Sequence, residues 1–267
     1  MTTPGNWKRV CLAAFVVAAL SGVVCYVARQ REPVYHGKSV SAWLRQFQQV
    51  KSDPERVVPR LEISQSEELT AIRLMGTNAL PTLLRLVQDR DSSLRRKVLD
   101  LLVKLRVVEW RPESATVHHT MALDGFTALG PIAKPAVPAL ITSLNDSDAE
   151  VRRWAASCLG VVGPAAEAAV PALVQHLADP AVSEASEWAL GGIHKRPDLA
   201  VPALVERLRG PGRKSSTLFA LARFGPDAKT AVPAILPLLN ASDEGTPMAR
   251  SALKRIDPEA AARAGVK

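Results

Sequence analysis

Histidine and cysteine have the widest chemical reach of the side chains in this sequence, so their spacing is the first thing to test. The histidines stand at 36, 118, 119, 176 and 194 and the cysteines at 11, 25 and 158. A zinc or iron site needs ligands that converge, as two histidines one helical turn apart do in His-Glu-x-x-His, or two thiolates in Cys-x-x-Cys. Neither pattern occurs, and there is no His-Glu dipeptide. His118 and His119 form a cluster, but neighbours on a helix point about 100° apart and cannot close on one ion as a 0/+4 pair can. They read as partly exposed helix histidines. Cys11 and Cys25 lie in an apolar run and Cys158 in a helical core pattern, so no disulfide framework is expected. Glycine-rich phosphate loops and a Gly-x-Ser-x-Gly elbow are absent as well. The expectation is no catalytic residue, no cofactor and no metal.

The basic side chains are the remaining chemistry. The formal charge is +8, but Lys8, Arg9, Arg29 and Arg31 contribute half of it within a first stretch that holds no acid. What is left resembles an ordinary solvated surface more than a phosphate-binding stripe, which disfavours nucleic acid as a partner. Arg95, Arg96, Arg152, Arg153, Arg213, Lys214, Arg250 and Lys254 fall on exposed positions of the second helices described below. Of these, Arg95, Arg96, Arg152, Arg153, Arg250 and Lys254 make the candidate partner-binding surface. A basic ridge of that kind would suit an acidic segment of another protein.

A repeated word must position these residues. Val137-Pro138-Ala139-Leu140 returns as Val170-Pro171-Ala172-Leu173, Val201-Pro202-Ala203-Leu204 and Val232-Pro233-Ala234-Ile235, and Leu80-Pro81-Thr82-Leu83 anticipates it. The last three steps are 33, 31 and 31 residues, a period that signals stacked supersecondary units. Within each word the apolar residues recur at 0, +3, +4 and +7: Val170, Leu173, Val174 and Leu177 in one copy, Leu80, Leu83, Leu84 and Val87 in another. That spacing draws one stripe along an α-helix. The proline belongs to the first turn of that helix or to a kink, and the sequence allows both.

A second helix follows each word. Leu159, Leu190, Leu221 and Leu253 align, preceded by the small residues Cys158, Ala189, Ala220 and Ala252 and followed three places on by Val162, Ile193, Phe224 and Ile256. Trp154 and Trp188 read as core positions. The small column lets helices approach, and Cys158 is read as a packing residue. Two short helices cannot bury both stripes alone, so each pair needs neighbours on either side. Helices are expected over 66–76, 79–89, 92–106, 115–129, 134–145, 148–162, 166–178, 181–193, 198–208, 213–224, 228–239 and 246–256, with Glu109-Trp110-Arg111-Pro112 interrupting the rhythm.

Ahead of the repeats, Val10 to Ala28 is apolar except for Ser21 and Gly22. As a helix it measures about 28 Å, close to the ~30 Å hydrocarbon core. A cleaved signal peptide is the rival reading, but the apolar run continues past Ala19-Leu20-Ser21, which favours an uncleaved anchor. The resulting organisation is a tail over 1–9, a transmembrane helix over 10–28, a linker and capping helix over 29–65, the repeats over 66–258 and a tail over 259–267. In the capping helix Val40, Trp43, Leu44 and Phe47 share a face.

At Ala136-Val137-Pro138-Ala139-Leu140, Asn145-Asp146-Ser147-Asp148, Glu150-Val151-Arg152-Arg153-Trp154-Ala155-Ala156, Leu159-Gly160 and Gly163-Pro164 the chain resembles the HEAT-repeat family. The likeness is to its short bacterial variant with phycobilisome-lyase-like repeats. The resemblance covers about residues 66–258 and implies an all-α fold, an α-α superhelix preceded by a single transmembrane helix. His194 replaces the glycine found at 163 and 225, and Gly210-Pro211-Gly212 replaces the Asn-Asp-Ser-Asp turn, so the fourth unit is expected to be the least regular. HEAT-repeat hydroxylases carry His-Glu iron ligands that this chain lacks. A lyase acting on bilins would need a site that no cysteine marks here. A HEAT-like DNA glycosylase would need an acid beside an aromatic cleft.

The sequence therefore leads to a non-enzymatic, membrane-anchored scaffold. It would bind an unidentified protein with an acidic segment and attach to the membrane through residues 10–28, with its repeats outside the cytoplasm. The alternatives are a HEAT-fold enzyme of lyase or glycosylase type and a nucleic-acid-binding solenoid.

Overall fold

The computed structural model describes residues 32–52, 66–91, 113–211, 214–240 and 245–266. The span expected at 10–28, the helix expected at 92–106 and Arg95, Arg96 and Arg213 all lie outside them.

The first described residues are tightly held, where the sequence suggests a linker. β1 (Val34–Tyr35) pairs antiparallel with β2 (Lys38–Ser39) across a turn in which His36 and Gly37 take φ of 47° and 77°. The Glu32 carboxylate accepts from the Ser41 backbone N–H at 2.8 Å and from its hydroxyl at 2.7 Å, and it pairs with Arg85. Trp43 Nε1 donates to the Tyr35 carbonyl at 3.0 Å. The helix that follows, α1 (Val40–Ser52), buries Val40, Trp43, Leu44 and Phe47 as their spacing predicts.

Next come α2 (Glu67–Met75), α3 (Leu80–Val87) and α4 (Ala115–Leu129). α1 packs on α2 and α4 and so closes the amino-terminal end of the stack. α4 also lies against α3, with Gly125 placed where a Cβ would come within 2.4 Å of the Leu83 side chain. Among the described residues the partner of α3 is thus α4.

The regular units are α5 (Val137–Ser143) with α6 (Ala149–Val162), α7 (Val170–Gln175) with α8 (Ser183–Ile193), α9 (Pro197–Arg209) with α10 (Ser215–Phe224), and α11 (Val232–Ile235) with α12 (Gly245–Ile256). The proline question is settled copy by copy. Pro81, Pro138, Pro171 and Pro233 each sit in the first turn of an α-helix, where no intrahelical N–H is lost. Each of those helices follows a 3₁₀ segment, as Gly163–Ala169 precedes α7. Pro202 lies inside the unbroken α9. The junction before α9 is indeed irregular: Gly130, Gly163 and Gly225 end their helices with positive φ and ψ between −127° and −145°, whereas His194 and Arg196 take the left-handed helical region, with φ of 38° and 54°.

Leu140, Leu173, Leu204 and Ile235 are fully buried, as are Leu159, Leu190, Leu221 and Leu253 and the small column before them. The +4 position of the first-helix stripe is an edge: Ile141 and Val174 are half-buried and Leu236 is exposed. The residues expected as a tail contain α13 (Pro258–Arg263), capped by the Asp257 side chain and packed on α12 through Ala260 and Ala261. The stretch Ala149–Ala178 is long and apolar enough to cross a membrane by composition, yet half of it is buried and it breaks at Gly163 into separate helices of the stack.

Second helices pack on one another more extensively than first helices do, which curves the stack toward them. Glycine makes this approach possible. A Cβ at Gly192 would stand 2.5 Å from the Gly160 carbonyl oxygen, and one at Gly160 would stand 2.5 Å from the Trp188 ring. Gly192→Ala is therefore expected to destabilise by about 1–3 kcal/mol through overpacking, against a helix-propensity gain of up to about 1 kcal/mol. A thermal melt by circular dichroism at or above the wild-type midpoint would show that the seam relaxes instead.

Candidate functional site: an aromatic groove on the second helices

Alignment of the second helices on their buried leucines defines a column two residues earlier: Ser157, Trp188, Phe219 and Ser251, with Asp124 in α4. None is aliphatic, and this is the column that faces away from the first helices. At its amino-terminal end α1 covers it: Asp124 accepts from Gln48 at 2.5 Å and pairs with Lys51, and burial pushes its carboxyl pKa up. From α6 onward the column is open. Trp188 is 39% exposed, although its spacing suggested core.

Trp188 stacks against α6 because Gly160 leaves the space. Ala181, in the turn before α8, and Ala185 on α8 are small and leave a hollow between Trp154 of α6 and Phe219 of α10. The result is a cavity of about 500 Å³ bounded by three aromatic rings from three successive units. A second hollow of about 340 Å³ lies at the other end of Trp188, toward Val161, His194 and Arg223.

The rim is charged but largely compensated. Arg153 pairs with Glu150 one turn before it, and its guanidinium lies 5.6 Å from the Trp154 ring centroid. Trp154 Nε1 donates to the same Glu150 carboxylate at 3.2 Å, and the His119 ring packs on the indole at 5.6 Å. On α8, Glu184 accepts from the Ser216 hydroxyl of α10 at 3.3 Å. Among the described residues Glu184 has no ion-pair partner.

Residues 126–193, from the end of α4 through α8, match the family model described as HEAT repeats. Over those residues the helix pairs are similar to HEAT repeats, and the stack they belong to is a helical repeat array. Fifteen chains among the solved structures match it. One is an engineered protein, 21% identical with a TM-score of 0.45, whose match covers 85% of this chain. The chain spans 57% of that protein's length. No curated protein matches.

The array does not gather the described cationic residues into one ridge. Arg152 joins two units: it donates to the Asp179 carboxylate at 2.8 Å and to the Asp146 and Ser147 carbonyls. Asp179, held below the ordinary aspartate range by the Ala181 backbone N–H and by Arg152, ties the start of α8 to α6. Of the four that are described, Arg153 alone lines the groove. Arg250 occupies the register of buried Glu187 and Leu218, and Lys254 that of Gly160 and Gly191, which face the next unit's second helix. Both are exposed, since among the described residues no second helix packs beyond α12.

The histidines are accounted for in the same way. His118 sits between two carboxylates, 2.5 Å from Asp89 and 3.3 Å from Glu113, its ring nitrogens engaged on opposite sides. His119 is buried with Nε2 at 2.9 Å from the Asp89 carbonyl, and desolvation lowers its pKa. Burial pushes the Cys158 thiol pKa up, which suits packing and not nucleophilic chemistry. Among the described residues no group of His, Cys, Asp and Glu is placed to hold a metal ion.

Proposed function

We propose that this protein is a non-enzymatic, membrane-anchored scaffold that holds another protein in the groove on its second helices. The observation that carries the reading is the exposed Trp188 flanked by Trp154 and Phe219 around an open cavity. Aromatic side chains in such hollows dominate binding energy at protein interfaces. HEAT repeats themselves suggest protein interaction. The anchor rests on the apolar run 10–28. Glu32 is clamped to α1 and α3, and at most about 14 Å of extended chain joins it to Ala28, so an anchored array would stand close to the bilayer. Its proposed side is outside the cytoplasm.

The test is recovery of crosslinked partners with the full chain from the native host. Trp188→Ala/Phe219→Ala is expected to lower recovery more than tenfold at unchanged helicity, about 1.4 kcal/mol or more. Undiminished recovery would remove the groove from the function.

A DNA glycosylase is a second reading that one observation favours, because Glu150 and Glu184 do stand beside aromatic rings. A duplex, however, requires cations to neutralise its phosphates. At this groove Arg153 is paired with Glu150 and Arg152 with Asp179. The expected result with a labelled duplex is no salt-dependent binding.

A further inference from the structure

We propose that the cup formed by Trp154, Trp188 and Phe219 receives an arginine side chain from an extended segment of the partner protein, with Glu184 as its counter-ion. This rests on the reading of the groove as a partner-binding surface and reverses the charge that the basic residues suggest for the partner.

The argument is one of charge complementarity. Two charged residues line the cup, Arg153 and Glu184. Arg153 is matched by Glu150, so the charge left for a partner to meet is the acid. Ser216 donates to Glu184 Oε1 and thereby orients the carboxylate across the gap between α8 and α10. Glu184 and Trp188 stand four residues apart on α8, hence on the same face of the helix. The positive end of the α8 dipole, which would repel a cation at the floor of the cup, is met by Asp179 and by Glu184 itself in the first turn.

The rings then select among cations. A guanidinium is planar, stacks on indole faces and can also give a carboxylate a two-pronged contact, whereas an ammonium is a compact, strongly hydrated charge. The protein already contains this arrangement once: Arg153 lies over Trp154 while it pairs with Glu150. The cup repeats the same set of an acid, an indole and room for a fork, with the arginine still to be supplied. A volume of about 500 Å³ admits the side chain together with the backbone that carries it.

The experiment titrates the full chain in detergent with three fluorescein-labelled nonapeptides of alternating alanine and arginine, lysine or glutamate. Anisotropy is expected to rank arginine at least severalfold above lysine, with no binding of the glutamate peptide. Glu184→Gln and Trp188→Ala, both at exposed positions, are each expected to weaken the arginine peptide about tenfold with the circular dichroism spectrum unchanged. Equal affinity for lysine, a preference for glutamate, or an arginine affinity indifferent to Glu184→Gln would each overturn the proposal. If the Trp188→Ala/Phe219→Ala chain loses its native partner but no arginine preference is seen, the arginine assignment alone falls. If native-partner recovery is undiminished, the groove reading beneath it falls.

Discussion

Leu173→Asp is expected to replace one cooperative unfolding transition by two, the first at much lower temperature. Leu173 is fully buried in α7, the first helix of a central unit, and α7 packs on α8 behind it and on α9 in the next unit. An aspartate there must be buried without a partner or must pull the helix out of the stack, at a cost of about 4–5 kcal/mol. A linear array has no other route by which its two halves can stabilise each other, so loss of one unit's seam separates them. The control is Leu236→Asp. Leu236 belongs to the same repeated stripe but is 38% exposed, and the same substitution there should cost no more than about 0.5 kcal/mol. Differential scanning calorimetry distinguishes the cases, and a single unchanged transition for Leu173→Asp would contradict the stacking account.

That pair of substitutions also marks what the sequence makes legible. Periodicity reports which side of a helix meets its own partner, and on that point the pattern is reliable: the +3 position of the first helix and the leucine column of the second are buried throughout the regular units, and 0 and +7 are buried in all but the last of them, where Val232 and Leu239 are half-buried. It cannot report what lies against a helix from the neighbouring unit. Leu236 and Trp188 are misjudged by spacing for that one reason. Trp188 looks like core because it is large, but it lies over Gly160, and a glycine carries no hydrophobic signal that would announce a platform. Arg250 and Lys254 look like a ridge because they are charged, yet their register equivalents in earlier units face the next repeat. The open column that carries Trp188 and Phe219 was available in the sequence two places before each aligned leucine. It becomes visible once the second helices are aligned on one another instead of being read singly. The packing of α3 on α4 has no such signal, since pairing at a distance depends on contacts and not on spacing.

The Glu187–Arg207 pair shows the same dependence on neighbours and gives a sharp test. Glu187 of α8 is 2% exposed and receives Arg207 Nε of α9 at 2.8 Å, while Arg207 also reaches the Ser183 hydroxyl at 3.4 Å. One unit further on, the same register holds Leu218, fully buried, and half-buried Leu238. Where one unit carries an ion pair, the next thus carries leucine at both equivalent positions. Arg207→Ala leaves a carboxylate in an apolar junction, and removing one partner of a buried pair costs about 3–5 kcal/mol. Because Arg207 is one-third exposed, the lower end applies, and the midpoint of thermal unfolding should fall by roughly 6–12 °C. Glu187→Leu/Arg207→Leu copies the following unit and should restore the wild-type midpoint or exceed it, since replacing both charges removes the desolvation cost together with the attraction. If the double substitution melts as low as Arg207→Ala, the two residue pairs are not interchangeable and the ion pair does more than hold α8 to α9.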